Sequence, residues 1–228
     1  MDKIKTIEEA VNLIKDGDKV LVGGFYGLGT PHKVIDEIVR QQKKDLTIIG
    51  IEAGSPNYGV GKLIENGCVS KLIVSWIGNL KSTVNTLIAE GKLEMELNPQ
   101  GTLVERIRAA GFGLGGILTP TGLGTYIEDQ KIGERVTFNS KDWLYHTPLR
   151  GDVCIVEAFQ GDKLGNLVFR GAQMNICNTM CASADLVIAS VMSPINSLGS
   201  IEPEAIQVPG TFIDVLVQVD EKQVERSL

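Results

Sequence analysis

The chain has 228 residues, of which 43% are hydrophobic and 22% charged, and its formal net charge is −6. This length and apolar content predict a single domain, residues 1–228, with a sizeable core. The negative charge argues against nonspecific nucleic-acid binding, which needs a basic surface. No apolar run approaches the roughly 20 residues that cross a bilayer. No basic segment precedes an apolar one at the N-terminus, so we expect neither a membrane span nor a signal peptide.

Cysteine usage indicates a reducing compartment. Four cysteines are too few for the disulfide framework of a secreted protein of this length. Cys177 and Cys181 are four residues apart and can share a helix face, but His32 and His146 are both distant in sequence. We therefore predict reduced, buried thiols, no metal site and a cytoplasmic location. The thiols in question are Cys68, Cys154, Cys177 and Cys181.

A helix and a strand open the chain. Thr6 and Glu9 have the spacing of a capping box, which predicts the start of a helix. Residues 20–22 are apolar and mostly β-branched, which predicts a short buried strand. The next helix is predicted to have Thr30 as its N-cap and Pro31 at its first position, where the missing N–H is no loss.

A glycine-rich segment separates this strand from this helix. Its glycines are Gly23, Gly24, Gly27 and Gly29. At a strand-to-helix crossing, backbone N–H groups can point at an anion, and the absence of Cβ atoms allows close approach. The segment is therefore predicted to bind a ligand, and a tight turn with spare glycines is the alternative.

Strands and helices alternate along the rest of the chain. Further strands are predicted at residues 46–51, 71–75, 93–97, 152–158 and 184–190. Alternation of this kind predicts an α/β fold with a mixed or mainly parallel sheet wrapped by helices. Ligands of such sheets bind at the carboxyl ends of the strands. The loop at residues 52–61, which follows the second strand, therefore belongs at the ligand-binding edge.

A longer pattern surrounds the glycines. From Asp16 to Pro31 the chain reads Asp-Gly, two residues, three apolar residues, Gly-Gly-Phe, three residues, Gly, one residue and Pro. This pattern resembles the signature of the alpha subunits of family I coenzyme A transferases. Blocks that begin at Asn98, Thr119 and Gly165 are similar to blocks of the short-chain 3-oxoacid and acetate transferases, in the same order. The resemblance therefore covers nearly the whole chain.

The resemblance implies a three-layer α/β domain and an enzyme that moves coenzyme A between an acyl-CoA and a free carboxylate such as acetate, acetoacetate or butyrate. In this family a glutamate attacks the thioester, giving an acyl-glutamyl anhydride and then a glutamyl-CoA thioester. That glutamate belongs to the beta subunit of two-subunit members. The chain is therefore expected to act only with a beta subunit, in an α2β2 hetero-oligomer. Acyl-CoA is expected as substrate, with no permanently bound cofactor.

The resemblance also assigns site residues. The coenzyme A contacts fall on residues 24–30, here called the glycine loop: Gly24, Phe25, Tyr26, Gly27, Leu28, Gly29 and Thr30. Whether this loop cradles phosphate or shapes the wall of the pantetheine channel stays open. Gln100 follows a predicted strand, and its amide can donate to a carboxylate or thioester oxygen. The alternative for Gln100 is a polar cap on a helix that starts near Thr102.

Two positions complicate the assignment. Glu52 precedes Ala-Gly and so resembles the Glu-x-Gly setting of the beta-subunit nucleophile, and the alternative is an acidic loop residue paired with a cation or with solvent. Many relatives have Ala-Arg-Asn-Phe-Asn where this chain has Ala-Gln-Met-Asn at residues 172–175. Replacement of that Arg by Gln173 leaves the preferred carboxylate open.

Two other functions compete with the transferase. The same sheet family includes sugar-phosphate isomerases that are complete in one chain, but the sequence offers no Asp/Glu–Lys cluster for proton transfer. The altered block at residues 172–175 also allows a non-catalytic binding subunit of a transferase-like complex.

Overall fold

The computed structural model describes residues 3–219. The strands are β1 (Lys19–Val22), β2 (Leu46–Ile49), β3 (Val69–Val74), β4 (Glu94–Leu97), β5 (Ile117–Thr119), β6 (Glu134–Phe138), β7 (Lys141–His146), β8 (Gly151–Ala158), β9 (Gln160–Gly161), β10 (Leu167–Val168), β11 (Ala184–Val191) and β12 (Val215–Gln218). The helices are α1 (Ile7–Asn12), α2 (His32–Arg40), α3 (Val60–Glu65), α4 (Lys81–Ala89), α5 (Gln100–Gly111), α6 (Tyr126–Asp129) and α7 (Cys177–Cys181). Short 3-10 turns lie at Gly78–Leu80, Gly171–Gln173, Pro203–Ala205 and Gly210–Phe212.

A seven-stranded sheet forms the centre, in the order β12-β11-β8-β1-β2-β3-β4. Each neighbouring pair in it is parallel. The central strand pairs on both sides, with Leu21 beside Ile49 of β2 and Cys154 of β8. The predicted α/β fold is confirmed. Within residues 3–219, however, this sheet is parallel throughout rather than mixed, because the antiparallel pairs lie in two smaller sheets.

Alternate side chains of the central strand enter two separate apolar cores. Val20 and Val22 pack on one face with α1, α2 and α3, whereas Leu21 packs on the other face with α5 and α7. Helices therefore cover both faces, as nearly continuous apolar strands require. The three-layer arrangement is confirmed. Among residues 3–219, none of the helices combines the length and apolar character that a bilayer crossing requires.

The first helix starts as predicted. The Thr6 hydroxyl accepts a hydrogen bond from the Glu9 backbone nitrogen at 3.2 Å, and a Glu9 carboxylate oxygen accepts from the Thr6 backbone nitrogen at 3.0 Å. This reciprocal pair is a complete capping box, which satisfies two N–H groups at the helix start.

The predicted cap of the second helix is wrong. Helix α2 begins at His32, its N-cap is Pro31, and no side chain caps it. Thr30 is buried and packs back on the glycine loop, because Gly24 lies directly beneath it. Gly24 has a φ of 91°, and a Cβ there would stand 2.5 Å from the Thr30 backbone nitrogen. Only glycine fits this position.

A separate antiparallel sheet has the order β5-β7-β6. Trp143 and Tyr145, which alternate in the sequence as in a short strand, lie in β7. The other two strands were not predicted. In β6 only Val136 and Phe138 are apolar and most side chains are exposed, so its alternation is too short to predict a strand.

Candidate active site

The glycine loop leaves the carboxyl end of β1 as a tight turn. Phe25 and Leu28 exchange backbone hydrogen bonds of 3.1 and 3.0 Å. Between them, Tyr26 and Gly27 have positive φ angles of 52° and 80°. Positive φ at both central residues is the mark of a type I′ turn, which reverses the chain in two residues.

A second loop with the same pair of backbone hydrogen bonds, residues 54–59, follows β2, but of its two central residues, Pro56 and Asn57, only Asn57 has a positive φ. Ser55 and Tyr58 exchange backbone hydrogen bonds of 3.4 and 3.0 Å, and Asn57 has a φ of 55°. The glycines that bound the two turns all have positive φ: Gly24, Gly29, Gly54 and Gly59. The sequence did not reveal this repetition, because little besides the bounding glycines recurs.

The Tyr58 side chain joins the two loops. Its ring fills the space where a Cβ of Gly27 would stand, and its centroid lies 4.4 Å from that of the His32 ring. His32 Nε2 donates to the Gly27 carbonyl oxygen at 3.1 Å. Burial lowers the pKa of His32, although its bond to Gly27 opposes that change. At neutral pH the imidazole therefore braces the loop without adding a charge.

A small cavity opens between the two loops, at the carboxyl ends of β1 and β2. Val22, Ile51 and Val60 supply apolar walls, together with glycines of both loops and Thr30. Among the residues that line the cavity, Glu52 is the charged one. The structure therefore brings Gly24, Gly27 and Thr30 of the glycine loop together with Glu52 at the predicted edge of the sheet.

Glu52 binds the glycine loop from below. Its carboxylate accepts a hydrogen bond from the Tyr26 backbone nitrogen at 2.6 Å, and the residue is 9% exposed. Burial raises the pKa of Glu52, and the backbone N–H groups of Tyr26 and Gly27 oppose that rise. Within residues 3–219 no ion pair includes Glu52, so the proposed cation partner is not found there. Backbone N–H groups of this loop were expected to donate to a bound anion, but the N–H of Tyr26 donates to the carboxylate of Glu52.

The outer side of the glycine loop is apolar and exposed. The rings of Tyr26 and Trp76 are stacked, with centroids 6.3 Å apart and planes 16° apart. Phe25 lies 6.1 Å from Trp76, and Leu28 is 58% exposed. These four side chains form an apolar patch that residues 3–219 leave uncovered.

Gln100 lies on the same edge of the sheet but outside the cavity. It is the exposed first residue of α5, after β4, which is three strands away from β1 in the sheet. The N-cap of α5 is Pro99 and no side chain caps the helix, so the alternative role of Gln100 as a cap is wrong. Its side-chain amide makes no hydrogen bond within residues 3–219 and faces solvent.

The altered block at residues 172–175 packs against the glycine loop. Gly29 lies directly beside the backbone of Gln173. The Gln173 side chain is used within the chain, because its oxygen accepts from the Arg170 backbone nitrogen at 2.9 Å and its nitrogen lies 3.0 Å from the sulfur of Met192. Gln173 therefore supports the end of the glycine loop through its backbone.

Comparison with known proteins assigns the chain to a family. A family model described as Coenzyme A transferase matches residues 4–219. The chain belongs to the coenzyme A transferase family. This result confirms the resemblance that the signature at residues 16–31 predicted.

Relatives of known activity match this coenzyme A transferase chain over almost their full length. The acetoacetyl-CoA:acetate/butyrate CoA transferase alpha subunit of Clostridium acetobutylicum is 42% identical over 216 residues, which cover 95% of this chain and 97% of the relative. A subunit of the 3-oxoadipate CoA-transferase of Acinetobacter baylyi is 40% identical over 94% of this chain and 93% of its own. The alpha subunit of the acetate CoA-transferase of Escherichia coli is 36% identical over 97% of this chain and 99% of its own.

Solved structures support the fold. An acyl-CoA transferase from E. coli O157:H7, in a thioester complex with coenzyme A, superposes with a TM-score of 0.84 at 21% identity. The match covers 97% of this transferase chain and 48% of that one, so this chain spans about half its length. Glutaconate coenzyme A-transferase from Acidaminococcus fermentans gives a TM-score of 0.82 at 22% identity, over 96% and 76% of the two chains.

One buried carboxyl group of this transferase chain escaped sequence analysis. Glu157 lies near the end of β8, next to β1, and is 3% exposed. Its Oε2 atom has no hydrogen-bond partner among residues 3–219, and burial raises its pKa to about 7. Burial also raises the pKa of Tyr58, and the charges of Glu157 and Glu52 add to that rise. The available signal was a charged residue directly after the apolar run at residues 153–156.

The four cysteines are buried and unlinked, as predicted. Burial raises the pKa of Cys177 to about 12, so this thiol is not ionised at neutral pH. In the described part of the chain, no group of three or more His, Cys, Asp or Glu side chains is placed to hold a metal ion.

Proposed function

We propose that this chain is the alpha subunit of a short-chain acyl-CoA:carboxylate coenzyme A transferase of the acetate, acetoacetate or butyrate type. It acts with a beta subunit in an α2β2 assembly. The observation that carries the proposal is the glycine loop at the end of the central strand, within the family signature. Relatives matched over almost their full length are named as single subunits of such enzymes, two of them as alpha subunits, which supports the same assignment.

The chemistry takes place on a carboxylate of the beta subunit. That carboxylate attacks the carbonyl carbon of the thioester. The carbon–sulfur bond breaks, so that the coenzyme A thiolate is released and an acyl-glutamyl anhydride forms. The thiolate then attacks the glutamyl carbonyl of the anhydride, which releases the first carboxylate and forms a glutamyl-CoA thioester. The same steps in reverse, with a second carboxylate, produce the new acyl-CoA.

The glycine loop contributes a wall for coenzyme A. The Tyr26 amide is already bonded to Glu52, so this amide is not available for a phosphate oxygen. The exposed side chains of Phe25, Tyr26 and Leu28 instead suit the largely apolar pantetheine arm. The loop therefore forms the channel wall rather than a phosphate cradle.

Gln100 contributes a hydrogen-bond donor. Its amide is exposed at the same sheet edge and makes no hydrogen bond within residues 3–219. An uncharged donor aimed at a carboxylate or at a developing oxyanion stabilises the transition state without neutralising the attacking carboxylate.

The competing functions have less support. An isomerase complete in one chain has no support from the three relatives described above, which match over almost their full length and are named as transferase subunits. The hypothesis of a non-catalytic binding subunit depends only on the altered block at residues 172–175. Gln173 of that block still supports the glycine loop.

The proposal is tested by separating the two subunits. The purified chain alone is expected to transfer no coenzyme A, and the complex with its beta subunit is expected to do so. After incubation with acyl-CoA, mass spectrometry should find a coenzyme A thioester on a glutamate of the beta subunit. Transfer by the isolated chain, or a thioester on Glu52, would overturn the proposal. Light scattering of the complex measures whether its mass is that of α2β2.

A further inference from the structure

The cavity between the two loops combines apolar walls with one negative charge. Val22, Ile51 and Val60 suit a methyl or methylene group. Glu52 is the charged residue of the lining, which includes no lysine or arginine. The cavity has a volume of about 10 Å³, roughly the space of one water molecule, so only the end of a bound group reaches it, and that end meets hydrocarbon and a carboxylate.

No positive charge in the described chain balances Glu52. It takes part in no ion pair within residues 3–219. Lys62, two residues after the lining residue Val60 on α3, is paired with Asp36 at 2.5 Å. His32 packs beside the cavity, but burial lowers its pKa, so it is a poor counter-charge at neutral pH. A second anion in this cavity would therefore be repelled by the Glu52 carboxylate, whose charge no cation balances.

The charge is also held in a fixed position. The 2.6 Å bond from the Tyr26 backbone nitrogen orients the Glu52 carboxylate below the glycine loop. Burial reduces the access of water, so the charge is screened less than an exposed one. Displacing the carboxylate would leave the Tyr26 amide without its partner.

We infer that Glu52 is a specificity-determining residue that admits acyl groups with an uncharged end and excludes those that carry a second carboxylate. The inference rests on the proposed function, because it requires the acyl group to bind beside the glycine loop. Relatives of this chain are named for both substrate classes, 3-oxoadipate being a dicarboxylate and acetate a monocarboxylate. Membership of the family therefore leaves the class undecided.

Butyrate and succinate are a suitable pair of acceptors, because they have the same number of carbons and differ in one terminal group. The assembled αβ complex is assayed with one acyl-CoA donor and either acceptor. The wild-type complex should prefer butyrate in kcat/KM by at least about tenfold, or about 1.4 kcal/mol. The Glu52→Gln complex keeps an oxygen for the Tyr26 amide but loses the charge. Its ratio of kcat/KM for succinate to that for butyrate should rise at least about tenfold over wild type.

Glu65 provides a matched control. Its carboxylate accepts a 2.6 Å hydrogen bond from the Asn57 backbone nitrogen in the second loop, as Glu52 does from Tyr26 in the glycine loop. Glu65 is exposed and does not line the cavity. The Glu65→Gln complex should therefore keep the wild-type ratio, since it loses the same charge elsewhere.

The outcomes separate this inference from the proposed function. A wild-type complex that transfers coenzyme A to neither acceptor contradicts the proposed function. A complex that transfers to both equally well, or a Glu52→Gln ratio that changes less than about threefold, overturns the inference alone. If the variant turns over too slowly to assay, calorimetry compares succinate and butyrate binding to both complexes. An unchanged ratio of dissociation constants then overturns the inference, and a shift towards succinate supports it.

Discussion

Gly29 lies directly against the backbone of Gln173, so that a Cβ on Gly29 would stand 2.6 Å from the Gln173 carbonyl oxygen and 2.8 Å from its Cα. Gly29 also has a φ of 72°. The neighbour is main chain in the 3-10 turn at Gly171–Gln173, and main chain cannot rotate away as a side chain can. The end of the glycine loop is therefore closed by a segment far along the sequence.

Substitution of Gly29 should lower the unfolding free energy by more than the strain of its positive φ alone would. Gly91→Ala is the matched control, because Gly91 has a φ of 68° and no atom lies within 4 Å of its Cβ position. Gly91→Ala should lose about 1 kcal/mol of unfolding free energy. Gly29→Ala should lose roughly 1–3 kcal/mol more, because the added methyl group overpacks the site. Urea denaturation measures both, and equal losses would contradict the close contact.

Gln100→Ala should impair catalysis without affecting folding. The side chain is exposed and makes no hydrogen bond within residues 3–219, so its loss leaves no unsatisfied group in this chain. If the amide contacts substrate, kcat/KM of the assembled enzyme should fall at least about tenfold with an unchanged melting temperature. Gln130→Ala, at the exposed end of α6, should change neither quantity. Gln100→Ala activity within about threefold of wild type would contradict the assigned role.

Local patterns predicted the parts of this structure that depend on neighbours in sequence. The Thr6 capping box, the buried run in β1 and the alternation of strands with helices each depend on short spacings. The same holds for the glycine loop, which the strand predicted before it and the helix predicted after it place at the carboxyl end of β1. Such features survive tertiary packing because local geometry and burial favour the same arrangement.

The features that sequence analysis missed depend on contacts between distant residues. Nothing near Tyr26 indicates that its amide is bonded to Glu52, and nothing near Thr30 indicates that Gly24 draws it away from a cap position. Gln100 resembled a helix cap because the start of α5 was expected near Thr102. In the first two cases a contact across the fold outweighed a local preference. In the third, Pro99 is the N-cap, so the helix begins two residues earlier than expected.

Arg106, in the middle of α5, ties this helix to β4, and its loss should destabilise the fold. The buried guanidinium contacts a Glu96 oxygen at 2.5 Å, Asn98 Oδ1 at 2.8 Å and the Thr147 carbonyl oxygen at 3.0 Å. Burial alone would raise the pKa of Glu96, but hydrogen bonds from Asn98 and Arg106 hold it below its ordinary value. Arg106→Met leaves that carboxylate without its cation and should lose roughly 3–5 kcal/mol of unfolding free energy.

A second arginine on the same helix is the control for this experiment. Arg108 pairs with Glu105 at 2.5 Å, but both side chains are more than 40% exposed. Exposed pairs contribute little, so Arg108→Met should have a much smaller effect in the same urea titration. Similar losses for Arg106→Met and Arg108→Met would contradict a buried network between α5 and β4.

Glu157 should make stability depend on pH. Burial raises its pKa from 4.5 to about 7 in the folded chain, whereas in the unfolded chain it titrates near its ordinary value. Between these values the folded state binds the proton more tightly, so the contribution of Glu157 to stability falls as pH rises through about 7. From pH 5 to pH 8 the unfolding free energy should decrease by about 2 kcal/mol through this group.

Glu157→Gln cannot ionise, so the variant should gain stability relative to wild type as pH rises. Urea titrations at several pH values test this, with Glu134→Gln on the exposed face of β6 as the control. Parallel curves for wild type and Glu157→Gln would contradict a buried carboxyl group without a partner.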